Sequence, residues 1–239
     1  MSAERCSIPV MAMLPTYNEA GNIRSLIEAV LAVAQGMEVV VVDDDSPDGT
    51  WRIVAEMAES DPRIHLIHRK DERGRGSAGV AGLRYAVEAG AERVVEMDAD
   101  WSHHPRHIPA MIEAARIADV VIGSRLVKGG GESGRSSFRR LITRLANTYV
   151  RLVLGLEVRD CTSGYRVFRR QALEQIDLAH MRSNGPAIVQ EILMACNRVG
   201  CRFAEVPIHF EPRRAGKSSL TTKILLNGLV SVLRFRFQK

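Results

Sequence analysis

Three acidic clusters stand in the first half of the chain, each directly after an apolar run. Pro15-Thr16-Tyr17-Asn18-Glu19 follows Ile8–Leu14, Asp43-Asp44-Asp45-Ser46-Pro47-Asp48-Gly49-Thr50 follows Glu38–Val42, and Asp98-Ala99-Asp100 follows Val94–Met97. One Asp in such a place is an ordinary helix cap, and Asp48 with Gly49 suits a turn or a helix start. Three adjacent carboxylates repel one another, so Asp43–Asp45 make sense where a ligand hydrogen-bonds them or a cation opposes them. A D-x-D at a strand end lets one carboxylate reach a hard cation while the other holds a sugar nucleotide. Oxygen ligands select Mg²⁺ or Mn²⁺, which also bridges a diphosphate. His103 and His104 follow at once, but no Cys or spaced Glu completes a zinc set, so they read as structural or substrate-adjacent.

These clusters need a scaffold that brings them to one edge. The apolar runs alternate with helical spacing: Ile23, Leu26, Ile27, Val30 and Leu31 form one stripe, and helices are expected at 51–59, 78–89 and 108–118. Strands are expected at 8–14, 38–42, 64–68, 94–97 and 120–123. This order implies a doubly wound α/β sheet, with ligands at the carboxyl ends of its strands. After Gly123 the pattern changes. Lys128–Ser137 reads as a mobile loop, 138–154 and 188–199 as helices, 203–210 as a strand, Glu211–Ser219 as a basic loop and 221–237 as an amphipathic helix. Gly74-Arg75-Gly76-Ser77-Ala78-Gly79 matches G-x-G-x-x-G. Five charged residues separate it from the preceding strand, which argues against nicotinamide binding and leaves a glycine-rich loop near donor phosphates as its reading.

The 239 residues, 46% hydrophobic and 26% charged, suit one folded domain. Residues 1–124 carry 12 Lys+Arg against 20 Asp+Glu, whereas residues 125–239 carry 21 against 8. A basic second half invites an anionic partner: phosphates, a lipid surface or nucleic acid. Only 5% of residues are aromatic and no nucleic-acid motif accompanies the charge, which argues against nucleic acid. No run approaches the roughly 20 apolar residues of a membrane span, and no signal peptide is expected. Cys6, Cys161, Cys196 and Cys201 lack framework or metal spacing and read as reduced thiols of a cytosolic protein.

P-T-Y-N-E at 15–19, D-D-D-S-P-D-G-T at 43–50, M-D-A-D-W-S-H-H-P at 97–105 and G-S-R at 123–125 together resemble glycosyltransferase family 2, and within it the dolichol- or polyprenol-phosphate mannose synthases. Asp160-Cys161-Thr162-Ser163-Gly164-Tyr165-Arg166 and the stretch from Val206-Pro207-Ile208 to Arg213 and Gly216 carry the likeness into the second half. The resemblance implies a single Rossmann-like GT-A domain over 1–239. Residues 1–124 would be its nucleotide-sugar and metal half, and 125–239 an acceptor half ending in an interfacial helix. It implies that Pro15, Tyr17, Glu19, Val42 and Asp44 contact the donor nucleotide. Asp98, Ala99 and Asp100 would hold diphosphate and metal, with Asp100 and Ser102 at the cation. Arg125 and Arg139 would bind phosphates and Arg213 would close over the donor. Asp98, Asp100 and Arg125 are the catalytic set. One departure stands out: where relatives have Ser-Lys-Leu this chain has Ser218-Ser219-Leu220, with Lys217 two residues ahead of the missing lysine.

The implied reaction moves mannose from GDP-mannose to a polyprenyl phosphate with inversion, using Mg²⁺ or Mn²⁺, at the cytoplasmic side of a membrane. A membrane-anchoring partner protein is among the implied partners. Glucose from UDP-glucose and a non-catalytic nucleotide-sugar-binding subunit remain alternatives. Contact with lipid is expected chiefly from the last helix. Its apolar face is Ile224, Leu225, Leu229, Val232, Leu233 and Phe235, with Lys223, Arg234, Arg236 and Lys239 around it. The helix over 138–154, with Arg140, Arg144 and Arg151, would share that role.

Overall fold

The computed structural model describes residues 9–134, 136–214 and 222–237, without the side chains of 222–226. Its centre is a run of short apolar strands: β1 (Val10–Thr16), β2 (Met37–Asp43), β3 (Ile64–His68), β4 (Arg93–Glu96) and β5 (Val120–Ser124). Side chains on a strand alternate between faces. Met11, Met13, Val40 and Val42 therefore enter one apolar cluster, while Ala12, Leu14, Val39 and Val41 enter the other. Both faces are covered, as the near-continuous Val runs require. On one side lie α1 (Ile23–Leu31), α2 (Thr50–Ser60) and α4 (Ile108–Ala114). On the other lie α3 (Arg75–Glu88), α5 (Ser137–Leu154), α6 (Arg170–Glu174), α7 (Ile188–Arg198) and α8 (Thr222–Phe237).

The expected α/β sheet is present, with one antiparallel strand in it. The two remaining strands of this sheet are β7 (Arg166–Arg169) and β8 (Phe203–Pro207), and the sheet runs β3-β2-β1-β4-β7-β5-β8. Every pairing is parallel except those of β7, which lies antiparallel between β4 and β5. R-V-F-R offers only two apolar residues, too few for periodicity to announce a strand. Its Arg166 is fully buried because its guanidinium donates to the carbonyls of Ser163, Cys161 and Val189. The expected strand over 203–210 is broken after Pro207, which has no N–H for a ladder. Past the break, β9 (His209–Phe210) leaves the main sheet and pairs with β6 (Gly131–Glu132). The segment from Lys128 to Ser137, expected as a loop, is thus tied by a strand to the C-terminal part of the chain.

The glycine-rich loop and the last helix both have packing roles. Gly74 and Gly76 serve packing. The Gly76 amide donates to the Asn184 carbonyl at 2.9 Å, and a Cβ at Gly76 would collide with the Ser183 carbonyl. On α8, Val232 and Phe235 are buried in the core, so two of the six residues assigned to its lipid face are not on the surface. Tyr149 and Arg198 hold α8 by donating to the carbonyls of Leu229 and Phe235. Ile8, Cys6, Lys217 with Ser218 and Ser219, Lys239, and the side chains of Lys223, Ile224 and Leu225 lie outside the described residues. Cys161, Cys196 and Cys201 are free thiols. Among the described residues no helix is long and apolar enough to cross a membrane.

Candidate active site

The parallel register of β2, β1 and β4 sets their carboxyl ends side by side, with Thr16 opposite Asp43. The loops that follow are sharply bent. Asn18, Asp45 and Trp101, none of them glycine, have φ of 61, 53 and 68°. A bulky residue such as Trp101 in this region is strained and persists only where its surroundings hold it. Here Arg214 lies over the Trp101 ring at 3.6 Å. The bend at Trp101 turns Ser102 back so that its N–H (3.0 Å) and hydroxyl (2.6 Å) both donate to Oδ1 of Asp100.

The Asp43–Asp45 cluster is occupied by the protein's own donors. Asp43 is fully buried and accepts from the Thr16 hydroxyl (2.7 Å), the Ser46 N–H (2.8 Å) and the Ser46 hydroxyl (2.7 Å). Asp44 takes the Arg69 guanidinium on one oxygen and the Gly74 N–H (2.7 Å) on the other. Asp45 meets His68 Nε2 at 2.7 Å. Asp48 caps its own turn through the Thr50 N–H and hydroxyl and also receives the Ala20 N–H.

Asp98 and Asp100 are held differently. Arg75, from the first turn of α3, donates to Asp98 at 2.8 Å. Burial alone would raise the Asp98 pKa, but the guanidinium groups of Arg75 and Arg213 outweigh it and hold the carboxyl well below its usual range. His103 is buried, stacks on Tyr165 and accepts the Asp98 N–H on Nδ1 at 3.0 Å. Its pKa is lowered, first by burial, and as an acceptor it is the neutral Nε2–H tautomer. Oδ2 of Asp100 pairs with Nε of Arg213 at 2.9 Å, and the Arg214 N–H donates to the Asp100 carbonyl. The Glu211 N–H reaches the Ser102 carbonyl, so the segment after β9 lies directly on this strand end. Glu19 belongs to the same group: its pKa is raised by burial and by Asp100 and Asp98, against a hydrogen bond from Asn22 and the charge of Arg213.

The other expected residues are less concentrated. Pro15 is half-buried, Tyr17 is exposed with Arg73 over its ring at 5.6 Å, and Ala99 is buried between its two carboxylates. The Val42 side chain packs in the core. Arg125 is buried against Asp160, which accepts from its backbone N–H, Nε and Nη2, with Glu132 at 3.4 Å from Nη1. Its charge is therefore already balanced by carboxylates of the second half. Arg139 is exposed on the first turn of α5, and no contact ties it to Asp98 or Asp100. His103, read from the sequence as structural or substrate-adjacent, lies at this strand end, whereas Arg69, Arg75 and Thr162 were given no role by sequence reasoning. Their only signal was position, since charge or hydroxyl type does not reveal a partner many residues away.

The donor set at Asp100 fits a hard cation. Oδ1 is filled by Ser102, while Oδ2 faces a positive group supplied by Arg213. Among the described residues no group of three or more His, Cys, Asp and Glu side chains is placed to hold a metal. Few protein ligands are what Mg²⁺ or Mn²⁺ needs when substrate phosphates and waters complete its shell.

Residues 12–177 match the family described as Glycosyl transferase family 2. The chain is 38% identical over 226 residues to an undecaprenyl-phosphate mannosyltransferase of Micrococcus luteus, covering 95% of this chain and 93% of that protein. It is 38% identical over 213 residues to a polyprenol monophosphomannose synthase of Mycolicibacterium smegmatis, covering 88% and 80%. It is 36% identical over 230 residues to a dolichol-phosphate mannosyltransferase of Pyrococcus furiosus, covering 94% of this chain and 63% of that one. Among solved structures it resembles glucosyl-3-phosphoglycerate synthase from Mycobacterium tuberculosis in complex with Mn²⁺, UDP-glucose and glycerol 3-phosphate. There the TM-score is 0.65 and the identity 18%, over 96% of this chain and 79% of that one. The fold is the GT-A fold of such neighbours. With a family match over most of its length and relatives above one-third identity, this chain belongs to glycosyltransferase family 2.

Proposed function

We propose that the chain transfers mannose from GDP-mannose to a polyprenyl phosphate. What carries this reading is near-full-length likeness to relatives named for mannosyl transfer to polyprenyl phosphates, on a site whose D-x-D strand end is intact. Pro15, Tyr17, Glu19 and Asp44 line the donor side, and Asp100, beside Asp98 and Ser102, would hold Mg²⁺ or Mn²⁺. Such an ion supplies charge neutralisation on the departing diphosphate.

The chemistry asks little of a general base. A phosphate monoester has a second pKa of about 6, so the acceptor is mostly dianionic at neutral pH. Its oxygen attacks the anomeric carbon, the bond from that carbon to the diphosphate oxygen breaks, and GDP leaves with the electron pair as the configuration inverts. The difficulty is bringing two anions together. Arg213, which here pairs with Asp100, would be free to meet the donor phosphates if a cation took its place, and Arg139 and Lys217 would serve the acceptor side. Arginine's planar fork suits phosphate oxygens.

The direct test incubates the protein with Mg²⁺ or Mn²⁺, a panel of nucleotide sugars and polyprenyl phosphate, and identifies the lipid product. Mannosyl phosphoprenol formed only from GDP-mannose is expected. A glucosylated product from UDP-glucose would replace the donor assignment, and no product with any sugar would remove the activity.

The acceptor requires a lipid-facing surface, and α5 is its main element. Phe138, Leu141, Ile142 and Leu145 form a stripe at helical spacing and are 70, 52, 39 and 60% exposed, with Arg139, Arg140, Arg144 and Arg151 around them. Leu229, Val230, Leu233 and Phe237 of α8 extend the apolar area. An apolar stripe rimmed by arginines suits the interface of an anionic bilayer, each cation adding about 1 kcal/mol. Co-sedimentation with anionic vesicles at low salt should be strong for the full chain, reduced by truncation before Thr221, and lost when Arg140 and Arg144 are both changed to Glu. Vesicle binding unaffected by the double reversal would move the surface elsewhere.

A further inference from the structure

At the opposite end of the sheet from the D-x-D, two arginines face each other. Arg93 opens β4 and Arg169 closes β7, and the antiparallel register sets them directly across from one another. Like charges in such a pair destabilise a sheet. Alternation places them on the same face as Val95 and Val167, the face that α4 covers. Arg116, just past the end of α4, brings a third guanidinium to the same corner.

Arg93 is the member without a partner. It is 7% exposed, and its Nε is sealed from solvent with no acceptor. Among the described residues its guanidinium makes no hydrogen bond and no ion pair. Burial first, then Arg169 and Arg116, push its pKa down, against the pull of Glu113 and Glu92. The carboxylates nearby are already paired. Glu113 meets Arg116 at 3.2 Å, and Glu92 lies 4.0 Å from Arg170. Asp119 accepts from Nε and Nη2 of Arg202, both at 3.0 Å, and is 3.6 Å from Arg169.

An arginine cannot shed its proton to escape burial. A buried charge without a counter-ion is costly. Three guanidinium groups close enough to repel one another, one of them with no acceptor, form the kind of cluster that an oxyanion relieves. The Nη groups of Arg93 are not among its sealed atoms, so they are the edge left to meet such an ion.

We propose that Arg93, with Arg169 and Arg116 beside it, is a binding site for a phosphate-type oxyanion at the amino-terminal end of β4. The site is separate from the one that holds Asp98, about 16 Å away by the rise of an extended chain. The inference does not depend on the transfer reaction proposed above. Free phosphate and the phosphate of a lipid headgroup offer the same oxygens, and the two arms of the test separate them.

In the first arm, inorganic phosphate is titrated into the full chain by calorimetry and thermal unfolding, with excess GDP and Mg²⁺ filling the carboxyl ends of the strands. Phosphate should bind the unaltered chain saturably and raise its melting temperature. Arg93→Gln should bind it about tenfold more weakly and gain no melting temperature from it. Without phosphate this variant should melt no lower than the unaltered chain, because it lacks the unpaired charge. Arg116→Gln, on the exposed rim, should weaken phosphate about threefold, and it carries the comparison if Arg93→Gln does not fold. In the second arm, the same proteins are sedimented with vesicles containing phosphatidic acid. A site that takes lipid headgroups loses vesicle binding in the variants while free phosphate changes little in any of the proteins. An equal response of the unaltered chain and the variants, both to free phosphate and to the vesicles, would overturn the site and leave Arg93 as packing for the sheet.

Discussion

The strand ends at Asp43–Asp45 and Asp98–Asp100 carry the same side chain at the same edge of one sheet, yet they are built for different ends. Each carboxylate of the first is met by donors of its own turn or of the adjoining strand ends and loops: Thr16 and Ser46 for Asp43, Arg69 and Gly74 for Asp44, His68 for Asp45. At the second, Oδ1 of Asp100 is fixed by Ser102, but Oδ2 is met by Arg213, a cation more than a hundred residues away on the segment after β9. A carboxylate buried together with its partner, as Asp44 is with Arg69, is fixed in place by the scaffold. One whose partner is a partly exposed cation, as Arg213 is at Asp100, can exchange that partner for another cation. The difference teaches that clustered acids mark a site only where the fold leaves an oxygen to an exchangeable group.

The largest break in the comparison comes from removing one carboxylate of each kind. Asp100→Asn keeps an oxygen for Ser102 and loses the charge at Oδ2, so turnover should fall by on the order of 10²–10³-fold while thermal stability changes little. Asp43→Ala leaves the Thr16 and Ser46 donors unpaired in a fully buried place, at about 3 kcal/mol, and should lower the melting temperature by several degrees. Equal loss of stability in both variants would erase the distinction between the two ends.

A smaller effect sharpens it. If Arg213 competes with a cation for Asp100, Arg213→Gln should bind Mn²⁺ more tightly in the absence of nucleotide. A partly exposed ion pair contributes about 1 kcal/mol, or roughly fivefold in Kd. Paramagnetic titration of free Mn²⁺ reads this directly, and the same variant should bind GDP with Mn²⁺ more weakly than the unaltered chain. Weaker Mn²⁺ binding without nucleotide would show that Arg213 supports the cation instead of replacing it.

The scaffold was legible in the sequence wherever a period was long enough to be seen. The Val-rich run of β2, the stripe Ile23, Leu26, Ile27, Val30 and Leu31, and α5 and α7 all formed where spacing placed them, to within a few residues. β7 was missed because four residues with an Arg at each end carry no period. The break at Pro207 was missed because the pattern of 203–210 shows alternation but not which sheet a strand joins. At the site, acid types and strand-end positions were visible, and partners were not. Arg75 reaches Asp98 only because α3 starts beside β4, and Gly164 leaves room where a Cβ would lie 2.5 Å from Arg75 Nη2. The glycines at 74 and 76 were read as a loop near donor phosphates, and the motif gave no sign that their smallness also serves a close approach to the backbone of Ser183 and Asn184. Side-chain size at close approaches is a property of the assembled fold, which a motif does not record.

The smallest expected effect follows acid pH at the segment that carries Arg213. His107 accepts the His209 N–H on Nε2 at 3.3 Å, and so fastens the start of β9 to the turn after the D-x-D strand end. Burial first, then Arg106, His104 and His209, push its pKa down to about 4 from an ordinary 6.5. The sign is set by which state takes the proton first. Between pH 6.5 and 4 the unfolded chain binds a proton on this ring and the native chain does not, so this contribution is complete above 6.5 and is lost as pH falls towards 4. The ring is only half-buried, so solvent screening limits the effect to about 1 kcal/mol. Urea unfolding at pH 7, 5.5 and 4 on the unaltered chain and on His107→Gln isolates it. Gln keeps an acceptor for the His209 N–H but does not titrate, so the variant should lose less stability on acidification. His103 and His104, also lowered chiefly by burial, leave part of the slope in place. Identical slopes in the two proteins would mean that His107 is not the group that ties this strand end to pH. The Asp43–Asp45 end, held by Thr16, Ser46, Arg69, Gly74 and His68, should keep its contribution unchanged by the substitution.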